Sequence, residues 1–142
     1  MRIRELGIED YERLLALWRE AGLPFRPRGR DRREAMAKEM EGASATFLVA
    51  EEGGRLVGSV LATDDGRKGW INRLAVLPSQ RRIGLAQRLV AEAEARLQRK
   101  GIAIIACLIE EGNAASEALF TRIGYVRHPE IVYYAKRLNP DV

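Results

Sequence analysis

The chain has few of the residues that hold metals, form disulfides or cross membranes. Its 142 residues include a single cysteine, Cys107, and a single histidine, His128. One cysteine cannot close an internal disulfide, and no cluster of ligating side chains has metal-binding spacing. The longest uninterrupted apolar run, Ile102–Ile109, is far below the roughly 20 residues a membrane-spanning helix requires. The opening residues M-R-I-R-E-L lack an apolar signal core, so a cytoplasmic location is expected. Aromatic residues make up 6% of the chain and are not interleaved among the basic ones, which leaves no stacking platform for nucleic acid. Outside Arg26–Arg33 the basic residues alternate with acidic ones, so the net charge of +4 reads as a solvated surface. Nucleic-acid and membrane partners are not expected.

What is present describes an ordinary globular chain. Hydrophobic residues are 46% and charged residues 31%, and the length suits one domain over residues 1–142 with a substantial core. Arg2–Leu6 reads as a short strand. Tyr11, Leu14, Leu15, Trp18 and Ala21 follow helical spacing, and Gly22–Gly29, with Pro24 and Pro27, ends that helix. A more polar helix is predicted over about Arg30–Met40. Thr46–Glu51 and Leu56–Thr63 read as strands around E-E-G-G-R, and Asp65-Gly66 marks a hairpin into Trp70–Val76. A helix over Gly84–Lys100 would bury Leu85, Ala86, Leu89, Val90, Ala93 and Leu97. Ile102–Ile109 reads as a strand covered on both faces, with Cys107 a small hydrophobe within it. Ala114–Ile123 reads as a helix capped by Asn113, and Val126–Leu138 as a last strand. The predicted order is βααβββαβαβ, a mixed α/β sheet with a right-handed parallel crossover.

Trp70–Val90 is the most informative stretch. It reads as a strand, a turn rich in backbone N–H groups, and a helix opening at Arg81–Ala86. The first helical N–H groups have no intrahelical partners and sit at the positive end of the macrodipole, which makes the turn a phosphate seat. Gly84 lets a ligand approach the backbone, and Arg81 and Arg82 add formal charge. The spacing Ile71–Leu74–Val76 breaks strict alternation and predicts a bulge near Asn72–Arg73, a device that opens a ladder beside a site.

These residues resemble the GNAT superfamily of N-acetyltransferases. The family's Q/R-x-x-G-x-G/A pattern stands here as Arg81-Arg82-Ile83-Gly84-Leu85-Ala86, preceded by Leu74–Val76 and Pro78. About thirty residues on, Asn113-Ala114-Ala115-Ser116 opens a helix that carries Phe120 and ends at Gly124-Tyr125. The resemblance covers essentially the whole chain. It implies a sheet splayed between the fourth and fifth strands, with acetyl-coenzyme A in the cleft. The pyrophosphate would take the backbone N–H groups of Arg81, Arg82, Ile83, Gly84, Leu85, Ala86 and Gln87. The pantetheine arm would lie along Leu74, Ala75 and Val76 like an added strand, and Asn113, Ser116 and Phe120 would face the cofactor. The backbone N–H of Leu74 would stabilise the developing oxyanion. Homodimers are common in the family, and Ile131–Tyr134 is a candidate edge.

The chain departs from the family at the acid. Phe120 stands where relatives often carry a tyrosine whose hydroxyl reaches the departing sulfur. Tyr125, Tyr133, Tyr134 and Ser116 are the possible substitutes, with Tyr133 or Tyr134 chosen; solvent is the remaining proton source. The base is unassigned among Glu110, Glu111, Asp64, Asp65 and a water chain. Asp65 reads first as a turn-former, with a substrate contact by Asp65 and Arg67 kept open, and His128 as an exposed loop residue. Five arginines between Pro24 and Arg33 would favour an anionic acceptor if they border the acceptor site. The expected function is transfer of an acetyl group to a primary amine of a small molecule, amino acid or protein N-terminus. The alternative is a non-catalytic acyl-coenzyme A sensing module.

Overall fold

The computed structural model describes residues 1–142. Five strands form one sheet in the order β1-β2-β3-β4-β5. They are β1 (Arg2–Glu5), β2 (Ala45–Glu52), β3 (Arg55–Asp64), β4 (Gly69–Val76) and β5 (Ile105–Cys107). β1 to β4 are antiparallel, and β4 pairs in parallel with β5. Four helices accompany them: α1 (Tyr11–Ala21), α2 (Arg33–Glu41), α3 (Leu85–Arg99) and α4 (Ala114–Arg122). The mixed sheet with a β4–α3–β5 crossover is the predicted architecture. No helix is long and apolar enough to cross a membrane.

The core lies where the apolar faces of α1 and α3 meet the sheet. α1 buries Tyr11, Leu14, Leu15, Leu17 and Trp18; α3 buries Leu85, Leu89, Val90, Ala93 and Leu97. Close approach of α3 depends on Gly58 in β3, where a Cβ would stand 2.8 Å from Leu89 Cδ1. Asp10, almost fully buried, accepts from both terminal guanidinium nitrogens of Arg4 (2.7 and 3.0 Å), from Arg13 and from the Gly7 N–H (2.8 Å). The Arg4 hydrogen bonds hold its carboxyl well below the usual carboxylate range, despite opposing desolvation.

Three sequence expectations are corrected. The strand expected over Ile102–Ile109 shortens to Ile105–Cys107, because only Gly69–Ile71 of β4 offers it a ladder. Nor is it covered on both faces: Ile104 and Leu108 are exposed, as befits an edge strand. Val126–Leu138 forms no strand at all. Strand propensity reflects fit to a half-buried pleated surface. Ile131–Tyr134 is four apolar residues in a row without alternation, and it finds no ladder. Smaller shifts affect α2, which begins at Arg33 because Arg26–Arg32 is folded into turns.

Candidate functional site

The site begins at a distortion in β4. Leu61 pairs with Asn72 but Ser59 pairs with Ala75, so Arg73 and Leu74 together face Val60. This is the predicted bulge. Arg73 adopts φ 52°, a left-handed conformation that costs a side-chain-bearing residue about 1–2 kcal/mol. Contacts distant in sequence hold it there. Ser59 Oγ donates to the Arg73 carbonyl at 2.8 Å, and Trp18 Nε1 donates to Ser59 Oγ at 3.0 Å. The Arg73 guanidinium donates to Asp31 at 2.5 Å and to the Pro24 carbonyl at 2.6 Å, and lies 5.0 Å from the Trp18 ring centroid. Burial lowers the Arg73 pKa from its ordinary value, and the Asp31 charge opposes that shift.

Beyond the bulge, β5 no longer accompanies β4, so Leu74–Val76 has no strand on that side. The sheet therefore splays between its fourth and fifth strands. Leu77 donates back to the Val57 carbonyl at 3.0 Å, and a 3₁₀ turn over Pro78–Gln80 leads into the loop before α3. Arg82 and Gly84 there have φ of 68° and 82°. A Cβ at Gly84 would meet nothing within 4 Å, so glycine suits this position for its backbone conformation and not for want of space. The N–H groups of Arg82, Ile83, Gly84, Leu85, Ala86 and Gln87 donate to no group of the protein. Six consecutive free amides exceed the four that any helix start leaves open, and left-handed residues among them form an anion-binding concavity.

These amides border a cleft of about 890 Å³. Leu74–Val76 lies along it, Arg81, Arg82, Gly84, Leu85, Ala86 and Gln87 surround the loop end, and Asn113 and Ser116 face it from α4. Asn113 Oδ1 also accepts the Ser116 N–H at 3.2 Å, so it caps α4 while lining the cleft. Arg81 turns inward, donating to the Val76 carbonyl at 3.3 Å and the Ala21 carbonyl at 3.0 Å. It straps the loop to α1, whereas the Arg82 guanidinium makes no such contact.

Several anticipated residues lie elsewhere. The Ile83 side chain is exposed outside the cleft wall. Phe120 is buried, edge-on to Tyr125 with centroids 4.9 Å apart. Tyr133 and Tyr134 are 68% and 90% exposed in the unpaired tail and do not line the cleft. The Tyr125 hydroxyl donates to Glu94 at 2.8 Å, and burial pushes its pKa up strongly. Ser116 is therefore the only hydroxyl among the cleft-lining side chains. Asp65 accepts the N–H groups of Arg67 (2.9 Å) and Lys68 (2.8 Å), as a turn-former does. Glu110, Glu111 and His128 are exposed. Burial pushes the Cys107 thiol up to about 11, consistent with an inert side chain.

Asp31, Glu39, Ser59 and Arg73 escaped the sequence reading as site residues. Asp31 did leave a signal, as the one acid inside R-G-R-D-R-R. It organises that loop by accepting the Arg26 N–H at 2.7 Å, and its own carbonyl receives the Tyr11 hydroxyl at 2.7 Å. A second cavity, of about 280 Å³, opens beside this loop and shares Leu23 with the cleft.

Known proteins share this fold. Residues 11–125 match the model of the Acetyltransferase (GNAT) family. Acetyltransferase plu1384 of Photorhabdus laumondii is 32% identical over 142 residues, spanning 99% of this chain and 98% of its own. Among solved structures, the aminoglycoside N-acetyltransferase AAC(6')-Iy in complex with CoA has a TM-score of 0.76 at 20% identity, covering 96% of this chain and 99% of that one. The PaiA N-acetyltransferase of Thermoplasma acidophilum, in complex with coenzyme A, has a TM-score of 0.76 at 22% identity over 87% of each chain. The match across most of the chain, with a full-length relative above 30% identity, places this protein in the GNAT acetyltransferase family.

Proposed function

We propose that the protein transfers the acetyl group of acetyl-coenzyme A to a primary amine by direct attack within a ternary complex. The observation that carries this reading is the row of unpaired amides at Arg82–Gln87, set at one end of a cleft of about 890 Å³. Diphosphate oxygens match such donors in charge and number. Arg82 supplies further charge, and Asn113 and Ser116 flank the ligand from α4. The free edge at Leu74–Val76 can hydrogen-bond an amide-bearing arm as a neighbouring strand would. The CoA complexes of the structural relatives support the same ligand.

Acetyl-coenzyme A supplies an acyl group already activated as a thioester. The protein must bind it, orient it and stabilise charge. In this reading the Leu74 N–H donates to the acyl oxygen as negative charge develops there. The bulge fixes its direction, because Arg73 is immobilised from four sides. Solvent, reaching the sulfur past Ser116, protonates the leaving thiolate; a thiolate is a fair leaving group and needs little help. We further read the free outer edge of β5 and the exposed Ile131–Tyr134 as the contact of a homodimer.

Thiol release from acetyl-coenzyme A in the presence of an amine panel, alongside calorimetry with coenzyme A, tests the reading. Saturable binding and amine-dependent release are expected. Binding without release from any amine would leave a sensing module, and absence of binding would remove the reading altogether.

A further inference from the structure

The second cavity has an unusual charge inventory. Asp31, Glu39, Arg30 and Arg73 all line it, together with Asn72. Asp31 and Arg73 neutralise each other at 2.5 Å, and both are largely buried. Glu39 and Arg30 remain; both are exposed at the cavity's open side, neither has an ion-pair or side-chain hydrogen-bond partner, and each lines the same small volume. One unpaired carboxylate and one unpaired guanidinium in about 280 Å³ form a complementary pair of sockets for a compact zwitterion. The volume lies at or below the roughly 300–1,000 Å³ of sites for drug-sized ligands, which suits an amino acid better than an oligosaccharide or a long polyamine.

The position is suitable for an acyl acceptor. Asn72 and Arg73 immediately precede Leu74, and Leu23 belongs to both cavities. A ligand here therefore adjoins the bulge end of the cleft. Arg30 and Asp31 bring the loop that also carries Arg26, Arg28, Arg32 and Arg33 to this cavity, and that loop is strongly basic. One relative described above is an aminoglycoside acetyltransferase, and an aminoglycoside is a polycation. Like charges set face to face cost several kcal/mol, so an arginine-rich loop adjoining the cavity selects against that substrate.

We propose that the cavity takes a free α-amino acid or similarly small aminocarboxylate as the acyl acceptor, with Glu39 receiving the ammonium and Arg30 the carboxylate. This rests on the acetyl-transfer reading above. The ammonium gives one proton to the Glu39 carboxylate, leaving a neutral amine. The nitrogen lone pair forms the C–N bond to the acyl carbon and the C–S bond breaks. The nitrogen then loses a second proton to water, the sulfur gains one from water, and Glu39 returns its proton to solvent.

The surroundings of Glu39 favour this use. Although Glu39 is exposed overall, partial desolvation first, and then the charge of Asp31 from the α1–α2 loop, raise its pKa above the ordinary carboxylate value; Arg73 from β4 opposes them, and Arg30 faces the same cavity from the loop. A raised pKa brings a carboxylate closer to the basicity that proton transfer from an ammonium requires.

The test uses purified protein with acetyl-coenzyme A and thiol release as the readout. The probes are the twenty standard amino acids, their α-amides, spermidine and neamine. At least one free amino acid should exceed its amide at least 30-fold in kcat/KM, and spermidine and neamine should lie below both. Arg30→Met should bring the ratio of acid to amide close to one, chiefly through KM. Glu39→Gln should lower kcat at least 100-fold and remove the acidic limb of the pH profile, an effect that a merely structural role would not produce. Calorimetry should give the same coenzyme A affinity for both variants and the parent. Preference for a polycation, an unchanged acid-to-amide ratio in Arg30→Met, or no transfer to any amino acid while coenzyme A still binds overturns this proposal alone. Failure to bind coenzyme A overturns the reading beneath it.

Discussion

Replacing Asp31 with Asn tests whether the loop and the bulge are held by one ion pair. The side chains of Arg73 and Asp31 are 13% and 8% exposed, with nitrogen and oxygen 2.5 Å apart. Asn keeps the shape and can still accept the Arg26 N–H, but it leaves the Arg73 guanidinium without its hydrogen-bonded counter-charge, with only the more exposed Glu39 nearby. Breaking a fully buried pair costs about 3–5 kcal/mol. Here water reaches both groups through the second cavity, so we expect about 2–3 kcal/mol. With unfolding entropy of about 2.1 cal/mol/K per residue, a chain of this length changes by ~0.3 kcal/mol for each degree. Tm should therefore fall about 7–10 °C. Urea denaturation should report the same loss with an unchanged m-value. Adding Arg73→Met should recover at least half of it, because the stranded charge is gone. Coenzyme A affinity should be retained while acceptor kcat/KM falls. A single variant within about 0.5 kcal/mol of the parent, or strictly additive losses in the double variant, would refute the argument.

Gly84→Ala should weaken coenzyme A binding about 5–30-fold by calorimetry, because the free loop relaxes out of the left-handed conformation and binding must restore it at about 1–2 kcal/mol; unchanged affinity would show that the free loop keeps that conformation. Asp10→Asn should destabilise the fold at pH 7 by about 2 kcal/mol, discounted from a fully buried pair because Arg13 is partly exposed. Because the folded pKa of Asp10 is depressed, its stabilisation is complete above the ordinary carboxylate range and disappears as pH falls through the folded value. The parent and Asp10→Asn melting curves should accordingly converge below about pH 4, and a constant gap down to the lowest folded pH contradicts the assignment. Phe120→Tyr should not raise kcat in thiol-release assays, because the ring sits in the core against Tyr125; a marked gain would mean that the hydroxyl reaches the cleft. Sedimentation should show a dimer that Ile131→Glu converts to monomer, and a parent that is monomeric at every concentration removes the dimer reading.

Features encoded by neighbouring residues were legible in the sequence. The bulge showed itself because Ile71, Leu74 and Val76 cannot all face one side of a regular strand. The free amides followed from Gly84 behind Arg81 and Arg82 at the start of an amphipathic helix, although the expected Arg81 N–H instead donates back to the Pro78 carbonyl at 3.3 Å. Asn113 showed its capping role by its place before Ala114. Features that depend on distant partners were not legible. Nothing near Arg73 announces a left-handed arginine, since Trp18, Ser59 and Asp31 hold it from other elements. Glu39 carries no signal in the sequence, because only the fold sets it on one cavity with Arg30 and Arg73. The tail failed for the opposite reason: Val126–Leu138 has strand-forming residues, but an edge only three residues long at β5 gives them nothing to pair with.

The central claim concerns main-chain donors, so it is best tested by observing them. In ¹H–¹⁵N spectra of the labelled protein titrated with coenzyme A, the amides of Arg82–Gln87 should show the largest downfield proton shifts and the strongest protection from exchange. Saturable binding that leaves those six resonances unmoved would contradict the account.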